Sequence, residues 1–324
     1  MKILVRLPNW LGDLVMSHAF IEQLQKVYPG AKISVIIKKG LEPILNYFPQ
    51  VENQFLFSKE EFKGLKGAWK FGKQIKQSAE FDTFFSLPDS FSSALMGYTT
   101  GAKKRVGYKK ELRSFLFTNA YAKNKGHHRV EQYLDLLRLF SGKRIETPGI
   151  LLRTATVKKN NIIINMNSEA SSRRLPREKA ISIIDNVRKK TDNDIVLIGS
   201  GREKEFVDEV FNSLVSKKNI INIAGTTSLI DLSEILISSK VILTTDSGPA
   251  HLANALGVKT VVLFGAGNEN VTAPFNSQNR TIIRLGQLSC EPCQDNVCKR
   301  YGIPKCITLL EEELITSEVL KYLQ

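Results

Sequence analysis

Residues 241–253 read VILTTDSGPAHLA. An apolar run from Val241 to Thr244 leads into Asp246, Ser247 and Gly248, and Pro249 then falls in a first helical turn, where no backbone donor is needed. Strand, polar turn and helix in immediate succession form the repeating unit of doubly wound α/β sheets. Working outward, Lys259–Phe264 reads as the next strand, and its run Val261-Val262-Leu263-Phe264 suits a sheet covered on both faces. Upstream, Asn161–Asn165 and Asp194–Ile198 read as strands with helix-length segments between them. The first half repeats the alternation. Strands are expected at Lys2–Arg6, Lys32–Ile37 and Thr83–Leu87, and helices at Asp13–Val27, around Glu60–Ala79 and at Val130–Phe140. Thr147, Pro148 and Gly149 punctuate the chain as a linker would.

The 324 residues are enough for two domains with cores of their own. The expected fold is therefore α/β, two doubly wound Rossmann-like domains at 1–150 and 151–324, with the last helix free to pack back on the first domain. Ligands of such sheets bind beyond the carboxyl ends of the strands, so a shared cleft is the expected place for two substrates.

Composition narrows the function. With 42% hydrophobic and 24% charged residues the chain is neither a disordered tail nor a fibre. No apolar run approaches the roughly 20 residues of a membrane span, and Met1–Val5 leads into a polar loop at Pro8 and Asn9. A soluble, cytoplasmic protein is expected. The formal net charge is +14, and residues 1–150 account for +11 of it, with 24 Lys+Arg against 13 Asp+Glu. Such a half suits an anionic partner: a nucleic acid, a membrane face or an acidic substrate.

Four loops hold chemistry. After the first strand, Pro8-Asn9-Trp10-Leu11-Gly12-Asp13 puts a carboxylate at a strand's carboxyl end, fit either for acid–base work or as a helix N-cap. In Asp246–His251, free N–H groups at a helix start and the Ser247 hydroxyl suit a phosphate. Asp246 suits a sugar hydroxyl, and His251 lies one turn in. Met166–Pro176 (MNSEASSRRLP) brings Ser171, Ser172, Arg173 and Arg174 to another strand end, where an arginine can fork onto a diphosphate. Leu197–Glu203 is a glycine turn in which Lys204 stands at the third glycine of a dinucleotide fingerprint, so a turn supporting a nucleotide base is the better reading. The incomplete fingerprint also weakens a nicotinamide-dependent oxidoreductase. All four cysteines fall in one segment, Cys290-x2-Cys293-x4-Cys298-x7-Cys306, whose later spacing is not that of a paired CxxC ribbon. A structural zinc site is the expectation that this clustering raises.

The pairing of Pro8-Asn9-Trp10-Leu11-Gly12-Asp13 with Asp246-Ser247-Gly248-Pro249-Ala250-His251, in that order and spacing over nearly the whole chain, resembles the ADP-heptose:lipopolysaccharide heptosyltransferases of glycosyltransferase family 9, most of all the heptosyltransferase II type. The resemblance implies a GT-B fold and an inverting, metal-independent transfer of heptose from ADP-heptose to the lipopolysaccharide inner core, with no cofactor for catalysis. It implies Asp13 as general base and Ser172, Arg173, Arg174, Glu203, Asp246, Ser247, Gly248 and His251 as donor-binding. Here Arg173 stands where the family usually has Lys and Leu175 where it usually has Trp.

The basic first half then suits the acceptor, with Asn9, Trp10, Gly12, Lys104, Arg105 and Arg113 as acceptor-binding residues. Lys63, Lys66, Lys70, Lys73 and Lys76 recur at helical spacing beside Phe62, Leu65, Trp69 and Ile75. Facing the anionic inner membrane, each basic residue would contribute about 1 kcal/mol. The expected partners are an ADP-sugar, a Kdo/heptose–lipid A acceptor and that membrane surface, with no nucleic acid. A related transferase using another nucleotide sugar, or a nucleotide-regulated nucleic-acid-binding protein, are the alternatives; no nucleic-acid-reading motif supports the last.

Overall fold

The computed structural model of the chain describes residues 1–152 and 160–323. It divides into two compact units, Met1–Ile150 and Leu151–Gln324. In the first, β1 (Lys2–Arg6), β2 (Lys32–Lys38), β3 (Asn53–Phe57), β4 (Thr83–Ser86), β5 (Lys104–Tyr108) and β6 (Asn119–Tyr121) form a parallel sheet in the order β3-β2-β1-β4-β5-β6. Its helices are α1 (Leu11–Met16), α2 (His18–Val27), α3 (Gly64–Ser78), α4 (Phe91–Thr99) and α5 (Arg129–Ser141), and a 3-10 turn spans Glu111–Leu116. Ile3 sits opposite both Ile33 and Thr83, which fixes β1 at the centre.

The second unit repeats the plan. β7 (Asn161–Asn165), β8 (Asp194–Leu197), β9 (Ile220–Asn222), β10 (Val241–Thr245), β11 (Lys259–Phe264) and β12 (Arg280–Arg284) run parallel in the order β12-β11-β10-β7-β8-β9. The helices are α6 (Arg177–Lys190), α7 (Lys204–Asn212), α8 (Leu229–Ile237), α9 (Gly248–Ala255), α10 (Glu269–Thr272), α11 (Lys305–Thr308) and α12 (Glu312–Leu320). Numbered within its own unit, each sheet reads 3-2-1-4-5-6, so each reverses direction between its first and fourth strands. Loops leaving those two strands open a crevice at that switch point, where doubly wound folds bind ligands.

The central strands form because nearly every residue in them is covered and most are apolar. Ile162, Ile164, Leu197, Leu243 and Leu263 are buried in one core with Ile315 and Val319 of α12. The last helix thus packs within its own unit, on α6 and β10, where the sequence reading left it free to return to the first. In the first unit Leu4, Ile36 and Phe84 share a core with Phe57, Phe71 and Ile75.

Two helices differ from their expected spans for local reasons. The single helix expected over Asp13–Val27 begins at Leu11 and breaks at Ser17, whose hydroxyl donates to the Leu14 carbonyl at 2.7 Å and competes with the helical ladder. The helix expected from Glu60 starts at Gly64, because the Ser58 hydroxyl accepts from the Glu60 and Glu61 amides and holds them in a turn.

Candidate active site

At the first switch point, α1 carries Asp13 out of the loop after β1. Trp10 takes the N-cap position, so Asp13 lies in the first helical turn and is not the cap. Its Oδ1 is 3.4 Å from Arg129 Nε and accepts from the Tyr133 hydroxyl at 3.4 Å, and the side chain is 27% exposed. Burial raises the Asp13 carboxyl above its ordinary 3.8, and Arg129, Tyr133 and Lys123 pull against that rise. Around it stand Asp89, from the loop after β4, in an ion pair with Lys123, and Arg113, only 2% exposed. Arg113 Nη1 donates to the Pro88 carbonyl at 2.8 Å and its plane lies over Phe117, while its Nε and Nη2 are buried without a hydrogen-bond partner among the described residues. Three cations therefore share this edge with two carboxylates.

The loop before Asp13 is braced from below. Arg6, buried in β1, donates to the Leu7 and Ile36 carbonyls at 2.8 and 3.2 Å and holds the Asn9 side chain by a further hydrogen bond. Burial without a carboxylate partner lowers its guanidinium to about 10. Gly12 is buried within α1, and Trp10 stands 56% exposed with the Lys38 ammonium 5.7 Å from its ring.

Not every expected acceptor residue reaches this edge. Lys104 and Arg105 open β5, and in a parallel sheet the start of a strand lies at the edge opposite Asp13. Arg105 is spent on the Leu116 and Ala102 carbonyls at 2.8 and 2.9 Å, and Lys104 lies over Phe140. Only Arg113 of that trio arrives, because it follows β5 instead of starting it. Conversely, Asp89, Lys123, Arg129 and Tyr133 escaped the sequence reading. The signal that finds them is strand order: loops after β4 and β6 end at the same edge as the loop after β1.

At the second switch point the groups are mostly neutral. Asn165, ending β7, donates to Thr244 Oγ1 at 3.0 Å and Ser247 Oγ at 2.8 Å. Asn167 donates to the Ile198 carbonyl at 3.1 Å, and Thr245 donates to the Asn167 carbonyl. Ser247 takes the N-cap position of α9 without a side-chain capping bond, with Gly248 and Pro249 in the first turn, so the amides there face the loop. Arg173 Nη1 pairs with Asp246 Oδ2 at 3.3 Å. Gly267 closes in behind: a Cβ there would stand 2.1 Å from Asp246 Oδ2. Asn165 and Asn167 fall within segments singled out in the sequence, but their individual roles, and the whole of Gly267's, come only from the fold that brings them to the turn.

The remaining expected donor residues are partly engaged. Ser172 is buried and donates through Oγ to the Asp295 carbonyl at 2.5 Å, which ties the loop to the cysteine segment. Arg174 donates to the Ser168 carbonyl from Nε and Nη2 at 3.3 and 3.1 Å and lies over Phe206, so it shapes the loop. Glu203 accepts the Ser200 amide at 2.7 Å and closes the glycine turn, and His251 is buried on α9.

Cys290, Cys293, Cys298 and Cys306 are all free thiols lining one small cavity with Ser172 and Tyr301. Burial, with Glu291, Cys293 and Cys298 nearby, pushes the Cys306 thiol up to about 11. Among the described residues no group of three or more His, Cys, Asp or Glu is arranged to hold a metal ion.

A match to glycosyltransferase family 9 (heptosyltransferase) spans residues 68–303. The chain is 28% identical over 319 residues to lipopolysaccharide heptosyltransferase 2 of Escherichia coli K12, covering 88% of each chain. It is 26% identical to lipooligosaccharide heptosyltransferase 2 of Haemophilus ducreyi, covering 88% of this chain and 89% of that one. Among solved structures, it superposes on E. coli ADP-heptose lps heptosyltransferase II with a TM-score of 0.83 at 24% identity, covering 100% and 98%. The glycosyl transferase family 9 protein of Veillonella parvula gives a TM-score of 0.85 at 19% identity, covering 99% and 97%. With paired Rossmann-like units, a carboxylate at one switch point and a hydroxyl-lined helix start at the other, the chain belongs to glycosyltransferase family 9, the heptosyltransferases, and is a glycosyltransferase of the GT-B class.

Proposed function

We propose that this chain transfers a heptose from ADP-heptose to the inner core of a lipopolysaccharide acceptor, with inversion and without a metal ion. The observation that carries the reading is Asp13: a carboxylate at a switch point, ringed by cations, with one oxygen held by Arg129 and Tyr133. The acceptor hydroxyl oxygen attacks the anomeric carbon and its proton passes to Asp13. As the new glycosidic bond forms, the bond from that carbon to the diphosphate oxygen breaks on the opposite face, and ADP leaves with the electron pair. A positioned base contributes roughly 10²- to 10⁴-fold. The charge gathering on the diphosphate is met by Arg173, which exchanges Asp246 for phosphate oxygens, and by the amides that open α9. Those cationic and dipolar groups do the work that a divalent ion would otherwise do.

Protonated Asp13 accepts nothing, so activity falls as pH drops through its titration, and because burial raises that value the acid limb lies above the 3.8 of an ordinary aspartate. The deciding experiment is a calorimetric donor screen of ADP-heptose against UDP- and GDP-sugars, with turnover measured in Asp13→Ala. Preference for ADP-heptose and a large loss in the variant are expected; undiminished turnover would sink the base assignment, and preference for another nucleotide sugar would redirect the donor.

Acceptor binding by the first unit, in the cytoplasm at the anionic inner membrane, completes the reading. On α3 the lysines point outward with Leu65 and Trp69, while Phe71 and Ile75 face the core. Among the described residues no helix is long and apolar enough to cross a membrane. Liposome flotation that ignores anionic lipid, or charge reversal along α3, would count against peripheral docking. A structural zinc on the four cysteines is a separate proposal, supported by their convergence on one cavity; binding would have to draw the thiols in and deprotonate them. About one zinc per chain in untagged protein, lost in a Cys293→Ser/Cys298→Ser variant, is the expected result.

A further inference from the structure

Arg129 and Tyr133 lie four residues apart on α5, so both side chains leave the same face of the helix, one turn from each other. Both end on a single atom, Asp13 Oδ1, the guanidinium Nε at 3.4 Å and the phenol oxygen at 3.4 Å. No hydrogen bond to Asp13 Oδ2 is present among the described residues, and the side chain remains partly open to solvent. The carboxylate therefore has one committed oxygen and one uncommitted oxygen.

The two holders are themselves fixed. Arg129 Nη1 donates to Gln132 Oε1 at 3.1 Å, and Gln132 Nε2 donates to the His127 carbonyl at 2.8 Å, which ties the guanidinium to the entry of α5. Tyr133 is packed in the core, and burial reinforced by Asp13 keeps its hydroxyl protonated far above the usual range, so it stays a donor. A core tyrosine whose hydroxyl, among the described residues, donates only to a carboxylate 120 positions earlier in the chain is costly unless that contact matters.

We propose that Arg129 and Tyr133 are positioning residues that clamp Oδ1 of Asp13, so that Oδ2 stays turned toward the acceptor hydroxyl and takes its proton. The inference rests on the base assignment above and deepens it. The groups facing Asp13 are Arg129 and Tyr133 from α5, Lys123 from the loop after β6, and Asp89 from the loop after β4. The first three favour the ionised carboxylate and Asp89 opposes it. Removing Arg129 or the Tyr133 hydroxyl must therefore raise the pH at which Asp13 titrates.

The test combines two readouts on the full chain. The side-chain carboxyl of Asp13 is followed by 13C NMR across pH, with Asp13→Asn assigning the resonance, and the pH profile of kcat is measured on the same proteins. Arg129→Gln should raise both the titration midpoint and the acid limb by about one pH unit or more. Tyr133→Phe, which preserves the packed ring, should shift both in the same direction by less. Arg129→Lys should restore the midpoint, because the charge returns, but not kcat, because an ammonium lacks the Nε that meets Oδ1 and the Nη1 bond to Gln132 that fixes it. A midpoint and acid limb that stay put in both Arg129→Gln and Tyr133→Phe overturn the clamp, whatever Asp13→Asn does. A midpoint that moves while Asp13→Asn turns over undiminished overturns the base assignment and leaves the clamp intact.

Discussion

Asp89 and Asp246 occupy corresponding places in the two units, each just beyond the fourth strand of a sheet ordered 3-2-1-4-5-6, and each is paired with a cation from another loop: Lys123 in the first case, Arg173 in the second. The surroundings differ. Beside Asp89 stand Asp13, Arg129 and a buried Arg113 with two nitrogens unpartnered among the described residues, so the first switch point holds concentrated charge. Beside Asp246 stand Asn165, Thr244, Thr245 and Ser247, neutral groups that Asn165 links by hydrogen bonds to Thr244 and Ser247, and Asp246 itself pairs with Arg173. One backbone plan has thus been furnished twice, once with concentrated charge and once with mostly neutral hydrogen-bonding groups, a contrast that fits the proton transfer proposed for the first switch point and the sugar and diphosphate binding proposed for the second. In each unit the switch point supplies the place, and the side chains supply the chemistry.

That contrast can be broken most sharply at Asp13. Asp13→Asn should lower kcat by about 10²- to 10⁴-fold while calorimetry finds ADP bound as in the parent; a matching loss of ADP affinity would erase the division of labour. At the other switch point, Arg173→Gln should weaken ADP-heptose binding by roughly tenfold to a hundredfold, the equivalent of about 1.5–3 kcal/mol for a charged hydrogen bond, with the acid limb of kcat unmoved. A shift in that limb would mean the two sites are not separable. Gly267→Ala forces a methyl toward Asp246 Oδ2; overpacking of this kind costs about 1–3 kcal/mol, seen as a lower Tm together with weaker donor binding. The smallest effect is expected at the opposite edge. Lys104→Ala, exposed at the start of β5, should leave acceptor KM within about twofold, the scale of surface substitutions, whereas Arg113→Gln should raise it well beyond that.

The elements most legible in the sequence were those whose signal is local. β1, β7 and β11 fall where their apolar runs place them, and α5 differs from its expected span by one residue at each end. The strands left unread, β3, β5, β6, β9 and β12, are short or lie toward the sheet edges, where polar residues such as those of Asn53–Phe57 blur the pattern. Asp13, Asp246 and Ser247 stand out in the sequence as candidates because each is attached to a strand-turn-helix motif. Arg129 lies one residue before the helix expected at Val130–Phe140, and nothing local to Tyr133 distinguishes it from a core aromatic. Lys104, Arg105 and Arg113 looked alike as a basic cluster, although only one of them ends beside Asp89.

By itself the sequence determined the alternation of strands and helices, the division near residue 150, and the residue types at two strand-to-helix turns. These follow from hydrophobic period, turn chemistry and helix-start preferences, which act over a few neighbouring residues. Tertiary structure alone decided which charges meet. Strand order brings the loops after β1, β4 and β6 to one edge and sends the start of β5 to the other, so a carboxylate at position 13 acquires partners at 89, 123, 129 and 133. Electrostatics depends on distance in space and on burial, and neither is encoded in separation along the chain.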